Sequence, residues 1–392
     1  MNKMIRYTVL GVKRLFIFII SALVPKNKKL WVFGAWQGMI YADNSKYLFE
    51  YVIANHRENR YVWVSNNDGV LAEMSSQNYE VYKINTWSAF KVLFRASIIV
   101  ETEGNKDIGG YRYCRSKIIQ LWHGVAPKKM DWNKKKYSKI KKKLINILQD
   151  NHSKSYWMTS SEQNSRIMHE MIGSDIKKSY STGYSRNDIF ARRQPISTVM
   201  QELNAAYPDC KKIIYMPTHR YFGTKGQEFT SEQIMNVDYM LRMNNIMMLF
   251  KLHIHEINYY RHLENTLTNI VLVKGEEKYT DVYKYIGDFD LLISDYSSII
   301  YDFLCTKKPI ILFPYDLDYF KNADAGLFDY YESMPCGPFC YTWDEVFAAI
   351  FELLKDDNWK ERREICRKTF HPHEDGKNSE RIYQTICNNI LP

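Results

Sequence analysis

Two histidines stand where strand-like runs stop. Ile118 and Ile119 lead into Gln120-Leu121-Trp122-His123-Gly124, and a second apolar run ends in Lys251-Leu252-His253-Ile254-His255. Imidazole is the side chain that titrates near neutrality unaided, at a pKa of about 6.5. A His at a strand's carboxyl end is therefore suited to acid–base work, and Gly124 supplies the sharp turn beside it. The competing expectation for His123 is a core histidine bonded to backbone. Strand alternation puts His253 and His255 on one side. No acidic or imidazole partner lies at metal-ligand spacing nearby, so anion contact is expected there rather than a metal.

Other stretches suit phosphate. Ser294-Asp295-Tyr296-Ser297-Ser298 runs from a strand into a helix. Ser297 or Ser298 is a natural N-cap, and the free N–H groups of a helix start attract phosphate. Asp302 lies on the same helix. Pro217-Thr218-His219-Arg220 offers a guanidinium, whose forked donors match phosphate oxygens. Nine lysines fall between 128 and 143, among them Lys134, Lys135, Lys136, Lys141, Lys142 and Lys143, interleaved with Trp132, Tyr137 and Ile140. No nucleic-acid motif accompanies them, so an anionic membrane surface is the expected partner and nucleic acid is not. Residues 4–24 are mostly apolar but interrupted by Arg6, Lys13 and Arg14. The uncharged run from 15 to 24 falls short of the roughly 20 residues that span a bilayer. An interfacial helix over 1–24, with Phe16, Phe18 and Ile20 dipping into lipid, is expected, against a buried N-terminal helix as the alternative.

These residues need elements to hold them. A chain of 392 residues suggests two domains, and 15% aromatic content argues against disorder. Short apolar runs at 30–33, 61–64, 98–100 and 118–122 alternate with helical stretches at 45–54 and 88–95. The rhythm lapses over 192–208. It then resumes with strands at 213–216, 247–252, 270–273, 291–294 and 309–313, and helices at 231–242, 297–306, 343–354 and 378–388. Such alternation predicts parallel sheets covered by helices, with ligands at the carboxyl ends of the strands. The expected division is 1–24, 25–200 with the basic stretch 128–150, and 201–392. No GxGxxG or GxxxxGK[ST] occurs, which argues against a dehydrogenase or P-loop NTPase. Seven scattered Cys, with Cys336 and Cys340 as a lone structural CxxxC, fit a reducing cytoplasm. The formal charge of +10 favours an anionic partner.

Taken in order, QLWHG, YMPTHR, KLH, SDYSSIIYDF and KKPIILFPYDLDYF resemble the CDP-glycerol glycerophosphotransferase family, which builds teichoic acids and related polyol-phosphate capsules. The stretches 43–48 (DNSKYL) and 374–381 (EDGKNSER) resemble it too, so the likeness covers roughly residues 30–385. It implies an α/β, GT-B-like fold of two Rossmann-like domains facing a central cleft, the second holding the cytidine nucleotide. It implies transfer of glycerol phosphate or ribitol phosphate from CDP-glycerol or CDP-ribitol to a hydroxyl of a lipid-linked glycan acceptor, at the cytoplasmic face of the membrane. His123 would be the general base beside Gly124, with His253 a second essential imidazole. Arg220, Ser294, Asp295, Ser297 and Ser298 would contact the donor phosphates, with Asp302 in support. No metal cage is legible, and Mg2+ is the one cofactor left open. The family's KLHP reads KLHI here, and its PT(W/F)R-like motif carries His219. The rivals are a GT-B glycosyltransferase using a nucleotide sugar at the membrane and a non-catalytic membrane- or nucleic-acid-binding protein.

Overall fold

Strands buried on both faces read as unbroken apolar runs, and Ala96–Glu101 and Ile246–Phe250 are buried at every position. The computed structural model describes residues 3–391 other than 130–153, 193, 219–228, 253–255, 257, 259, 274 and 324–325. It contains two parallel sheets. The first joins β1 (Asn27–Phe33), β2 (Arg60–Ser65), β3 (Val81–Lys83), β4 (Ala96–Glu101), β5 (Lys117–Gln120), β6 (Tyr156–Thr159) and β7 (Ser179–Ser181) in the order β3-β2-β1-β4-β5-β6-β7. The second joins β8 (Lys211–Tyr215), β9 (Ile246–Phe250), β10 (Ile270–Leu272), β11 (Leu291–Ser294) and β12 (Ile310–Leu312) in the order β10-β9-β8-β11-β12. Each order reverses direction once, between β1 and β4 and between β8 and β11. Those switch points open a crevice at the carboxyl edge, the usual ligand position in such sheets.

The chain divides differently from the expected 25–200 and 201–392. One compact unit comprises 1–123, 131–188 and 375–392, and the other comprises 124–130 and 189–374. The C-terminal segment belongs to the first unit because its apolar face completes that core. Ile382, Ile386 and Ile390 join the cluster of Trp31, Phe33, Leu48 and Trp63. Tyr383 stacks on His56, with ring centroids 3.5 Å apart. The helix Asn378–Thr385 is anchored at its start by buried Asp188, whose carboxylate accepts from the amides of Asn378 (2.7 Å) and Ser379 (2.9 Å). A negative charge there also complements the helix dipole. Gly183 has φ +82°, and a Cβ on it would lie 2.0 Å from Asn378 Oδ1. Much of the EDGKNSER stretch is thus fastening: Arg381 pairs with Asp375 at 2.8 Å and donates to the Thr182 carbonyl at 3.0 Å.

The N-terminal helix α1 (Lys3–Leu23) packs one side against the first unit. Ile17 and Ser21 are buried, Ser21 Oγ accepts from Cys114 N at 2.7 Å, and Arg14 Nε donates to the Gly110 carbonyl at 3.1 Å. The exposed apolar row is Val12, Leu15, Phe16, Ile19 and Leu23, with Phe16 62% and Leu23 78% exposed. The expected trio Phe16, Phe18 and Ile20 is corrected here: residues two apart on a helix point about 200° apart. Ile20 packs against the core instead. No described helix is long and apolar enough to cross a membrane.

Asp188→Ala strips two amides of their acceptor. We expect a loss of about 2–4 kcal/mol in urea unfolding, with early proteolytic release of the C-terminal segment. Wild-type stability would show that the apolar face alone holds it.

Candidate active site

β5 ends at Gln120, and Leu121 N still donates to the Glu101 carbonyl of β4 at 2.9 Å. The chain then turns through Trp122 at φ +53° and Gly124 at φ +133°. A non-glycine residue in the left-handed region costs on the order of 1–3 kcal/mol and persists only when its surroundings over-determine it. Two side chains do so. Gln120 Oε1 accepts from Trp122 N at 2.9 Å, and Asn44 Nδ2 donates to the Trp122 carbonyl at 2.9 Å. The turn leaves His123 half-buried at the carboxyl edge of the sheet. Its ring stacks on Trp122 (centroids 4.3 Å, 26°) and lies 5.8 Å from the Trp36 ring.

Asn44 is itself locked. It sits in the first turn of α2 (Asp43–Asn55), fully buried. Its carbonyl accepts from Ser185 Oγ at 2.6 Å, and its Oδ1 accepts from Arg186 N at 3.2 Å. Beside it the Asp43 carboxylate pairs with the Arg186 guanidinium, both groups buried. Ser45 and Thr102 share a hydroxyl hydrogen bond of 2.9 Å. Asp107 ties the loops after β1 and β4 by accepting from Gln37 N (2.7 Å), Thr102 N and Glu103 N (both 2.8 Å). Burial pushes the Asp107 carboxyl up, and burial followed by the nearby Asp107 charge does the same to Glu103.

In the second unit the switch point brings the ends of β8 and β11 together. Ser294 and Asp295, expected as phosphate contacts, are fully buried and bind the loop after β8. Ser294 Oγ donates to the Met216 carbonyl at 2.6 Å, and Asp295 Oδ1 accepts from Thr218 N at 2.7 Å. Tyr331 closes the arrangement by donating to the Asp295 carbonyl at 2.7 Å. Ser297 and Ser298 are half-exposed and open the short helix Ile299–Phe303. Ser298 takes the N-cap position without a side-chain cap bond, while Ser297 Oγ accepts from Ile299 N at 3.4 Å. Asp302 is buried on that helix and accepts from Tyr283 Oη at 3.0 Å. Lys251, just past β9, is held below its ordinary pKa by burial. His253, Arg220, Lys134–Lys136 and Lys141–Lys143 lie outside the described residues. Among the described residues no three His, Cys, Asp or Glu side chains gather as a metal site.

The model of one family, CDP-Glycerol:Poly(glycerophosphate) glycerophosphotransferase, matches residues 16–388. The chain belongs to this family. Among its relatives, the teichoic acid glycerol-phosphate transferase of Staphylococcus aureus (strain NCTC 8325 / PS 47) is 26% identical over 385 residues, covering 92% of this chain and 93% of that protein. The teichoic acid poly(glycerol phosphate) polymerase of Bacillus spizizenii (strain ATCC 23059 / NRRL B-14472 / W23) is 23% identical over 392 residues, covering 94% and 95%. A solved structure of the wall teichoic acid polymerase TagF superposes with a TM-score of 0.75 at 21% identity, over 98% of this chain and 97% of that one. That likeness speaks to the fold.

In this glycerophosphotransferase family member, His123 and the serine turn are legible at strand ends. The stretch 43–48 is legible only as a likeness to the family. The role is mechanical: Asn44 and Asp43 hold the histidine turn and Arg186. Arg186 itself carried no signal, since an isolated Arg 143 residues from its partner has no readable spacing. Lys251 opens the KLH stretch, where its residue type and spacing do not set it apart from a surface lysine.

Asp43→Ala leaves a guanidinium buried without its carboxylate. A loss of about 3–5 kcal/mol is expected, and Asp43→Ala combined with Arg186→Leu should recover much of it in the same urea titration. A single variant as stable as the parent would remove the ion pair from the account.

Proposed function

We propose that the protein transfers glycerol phosphate or ribitol phosphate from a CDP-polyol to a hydroxyl of a lipid-linked acceptor, releasing CMP, in the synthesis of a teichoic acid or capsule-like polymer. The observation that carries this is the over-determined turn presenting His123 at a sheet's carboxyl edge, in a chain whose family and relatives are polyol-phosphate transferases.

The acceptor oxygen forms a bond to the phosphorus that bears the polyol. The bond from that phosphorus to the CMP oxygen breaks, and CMP leaves with the electron pair. Such transfer rests on positioning and charge stabilisation. His123 takes the acceptor proton, a contribution typically worth about 10²–10⁴-fold, or roughly 3–5 kcal/mol of barrier. Ser297, Ser298 and the amides behind them receive the donor phosphate, with His253 and Arg220 spreading its charge. Lys251 joins them, because an ammonium partly withdrawn from water by the fold is stabilised when an anion arrives beside it. Ser294 and Asp295 act at one remove by fixing the loop that leads to Arg220, and Asp302 supports the serine helix. The first unit serves the acceptor and the second the CDP donor.

The same reading puts the enzyme at the cytoplasmic face of the membrane as a peripheral protein. The row on α1 and the lysines at 134–136 and 141–143 would meet the anionic surface.

A donor panel tests the reaction. With a lipid-linked acceptor, CMP release is expected from CDP-glycerol or CDP-ribitol and no UDP from UDP-sugars; UDP release alone would replace the proposal with a glycosyltransferase. Parallel runs with Mg2+ and with EDTA read the metal dependence.

His123→Ala should lower kcat by at least 10²-fold while calorimetric binding of the CDP-polyol persists. Near-normal turnover would remove the base assignment. Asn44→Ala, which frees the Trp122 carbonyl, should lower kcat with little change in donor KM. A change confined to donor KM would contradict its role in holding the turn.

A further inference from the structure

α1 does more than present apolar side chains. Its second half packs on the segment 111–116, and together they border a cavity of about 220 Å³ on the first unit. Phe18 lines it from α1. By helix geometry Phe18 lies at the border between the packed side and the exposed row of Val12, Leu15, Phe16, Ile19 and Leu23. Four cations line the same cavity: Arg112, Arg115, Lys117 and Lys154. The carboxylate facing them is Glu101, which is buried and 3.5 Å from Gln120 Nε2. Among the described lining residues, cations outnumber carboxylates four to one.

The cations are gathered although they repel. Arg112, burial and Lys178, in that order, hold the Lys154 ammonium below its ordinary value. Lys178 has Asp175 at 3.7 Å, and a cavity wall on which cations predominate favours an anion beside it. Aromatic rings flank the cluster and take up part of its charge. The Arg112 guanidinium lies 5.8 Å from the Phe18 ring centroid, and Lys117 and Lys178 lie 5.7 and 5.9 Å from that of Tyr156. The volume is below the ~300–1,000 Å³ usual for a whole small-molecule ligand, which suits a headgroup whose remainder lies elsewhere.

We infer that this cavity is a receptor for the phosphate of a membrane lipid headgroup, engaged while the exposed row of α1 enters the apolar layer beside it. The inference rests on the membrane reading above and deepens it: the surface is recognised at a defined phosphate pocket as well as by diffuse charge. Arg112, Arg115, Lys117 and Lys154 bind the headgroup oxygens, and Phe18 seals the side toward the helix.

The test uses the full chain and flotation with two kinds of vesicle, phosphatidylcholine alone and phosphatidylcholine with phosphatidic acid, whose terminal phosphate is accessible. Lys117 and Lys154 are exposed, so Lys117→Gln with Lys154→Gln leaves the core untouched; Arg112→Gln is a second, deeper variant. Both are expected to weaken binding to the phosphatidic acid vesicles about tenfold to thirtyfold, with binding to phosphatidylcholine unchanged. Phe16→Gln with Ile19→Gln is expected to lose both. Inorganic pyrophosphate should compete only weakly, because it lacks the apolar half of the contact. Cavity variants that bind phosphatidic acid vesicles like the parent would overturn the inference, as would full release by pyrophosphate, which would make the pocket a site for a soluble anion. CMP release on a detergent-dispersed acceptor separates the two levels. It should be retained in the Lys117→Gln, Lys154→Gln variant, and its absence in the parent protein would count against the transfer reaction and leave the vesicle result standing by itself.

Discussion

An asparagine amide holding a tryptophan carbonyl decides where the described imidazole points. Trp122 occupies a backbone region that its side chain disfavours, and from its own strand Gln120 holds its amide there. The restraint comes from Asn44, 78 residues earlier, and Asn44 is restrained by Ser185 and Arg186, still further on. Three distant segments must fold correctly before the ring of His123 has a direction. The buried Asp43–Arg186 pair sits at their junction, where a charge without its partner would cost several kcal/mol. Strain in the turn is thus set against a buried network in which a broken bond would leave a polar group unsatisfied.

Parallel sheets make this possible because every strand ends on the same edge. The two units use that edge in different ways. In the first, the ends of β4 and β5 and the start of α2 are spent on orienting one aromatic ring between two indoles. In the second, the ends of β8 and β11 are cross-linked by buried Ser294 and Asp295, which leaves Ser297 and Ser298 half-exposed. The Asp295 carboxylate accepts from the backbone amides of Thr218 and Tyr296 and so is directed into the protein's own loops.

The strands with unbroken apolar runs were legible, and so were the residues that follow them: His123 after β5 and the serines after β11. β3, β6 and β7 were not. They have three or four residues each, and Ser179–Ser181 is a polar edge strand with no apolar run to announce it. Side-chain direction was also hidden. Ser294 and Asp295 look like phosphate ligands in a string of hydroxyl and acid residues, and only the neighbouring strand shows that both bind the β8 loop. The apolar pattern of the C-terminal helix said that one face is buried but not which unit it would cover. On α1 the composition announces a helix rich in apolar residues but not its exposed face, because the trio Phe16, Phe18 and Ile20 has the spacing of two that belongs to strands.

α1, the basic cavity and His123 all belong to the first unit, and this bears on the acceptor. Lys117, on the cavity wall, opens β5, and His123 lies six residues further along the chain. At about 3.3 Å per residue in a parallel strand, the imidazole's backbone stands at most about 20 Å beyond that lysine. If a lipid phosphate occupies the cavity, the surface and His123 are separated by one short strand of a rigid sheet. An acceptor hydroxyl held in that geometry would be presented at a depth fixed by β5, and its effective concentration at His123 would depend on how well the acceptor's own length matches that span. A short lipid-linked glycan and a long polymer would then differ in fit to the same enzyme, without any change in the turn that holds His123.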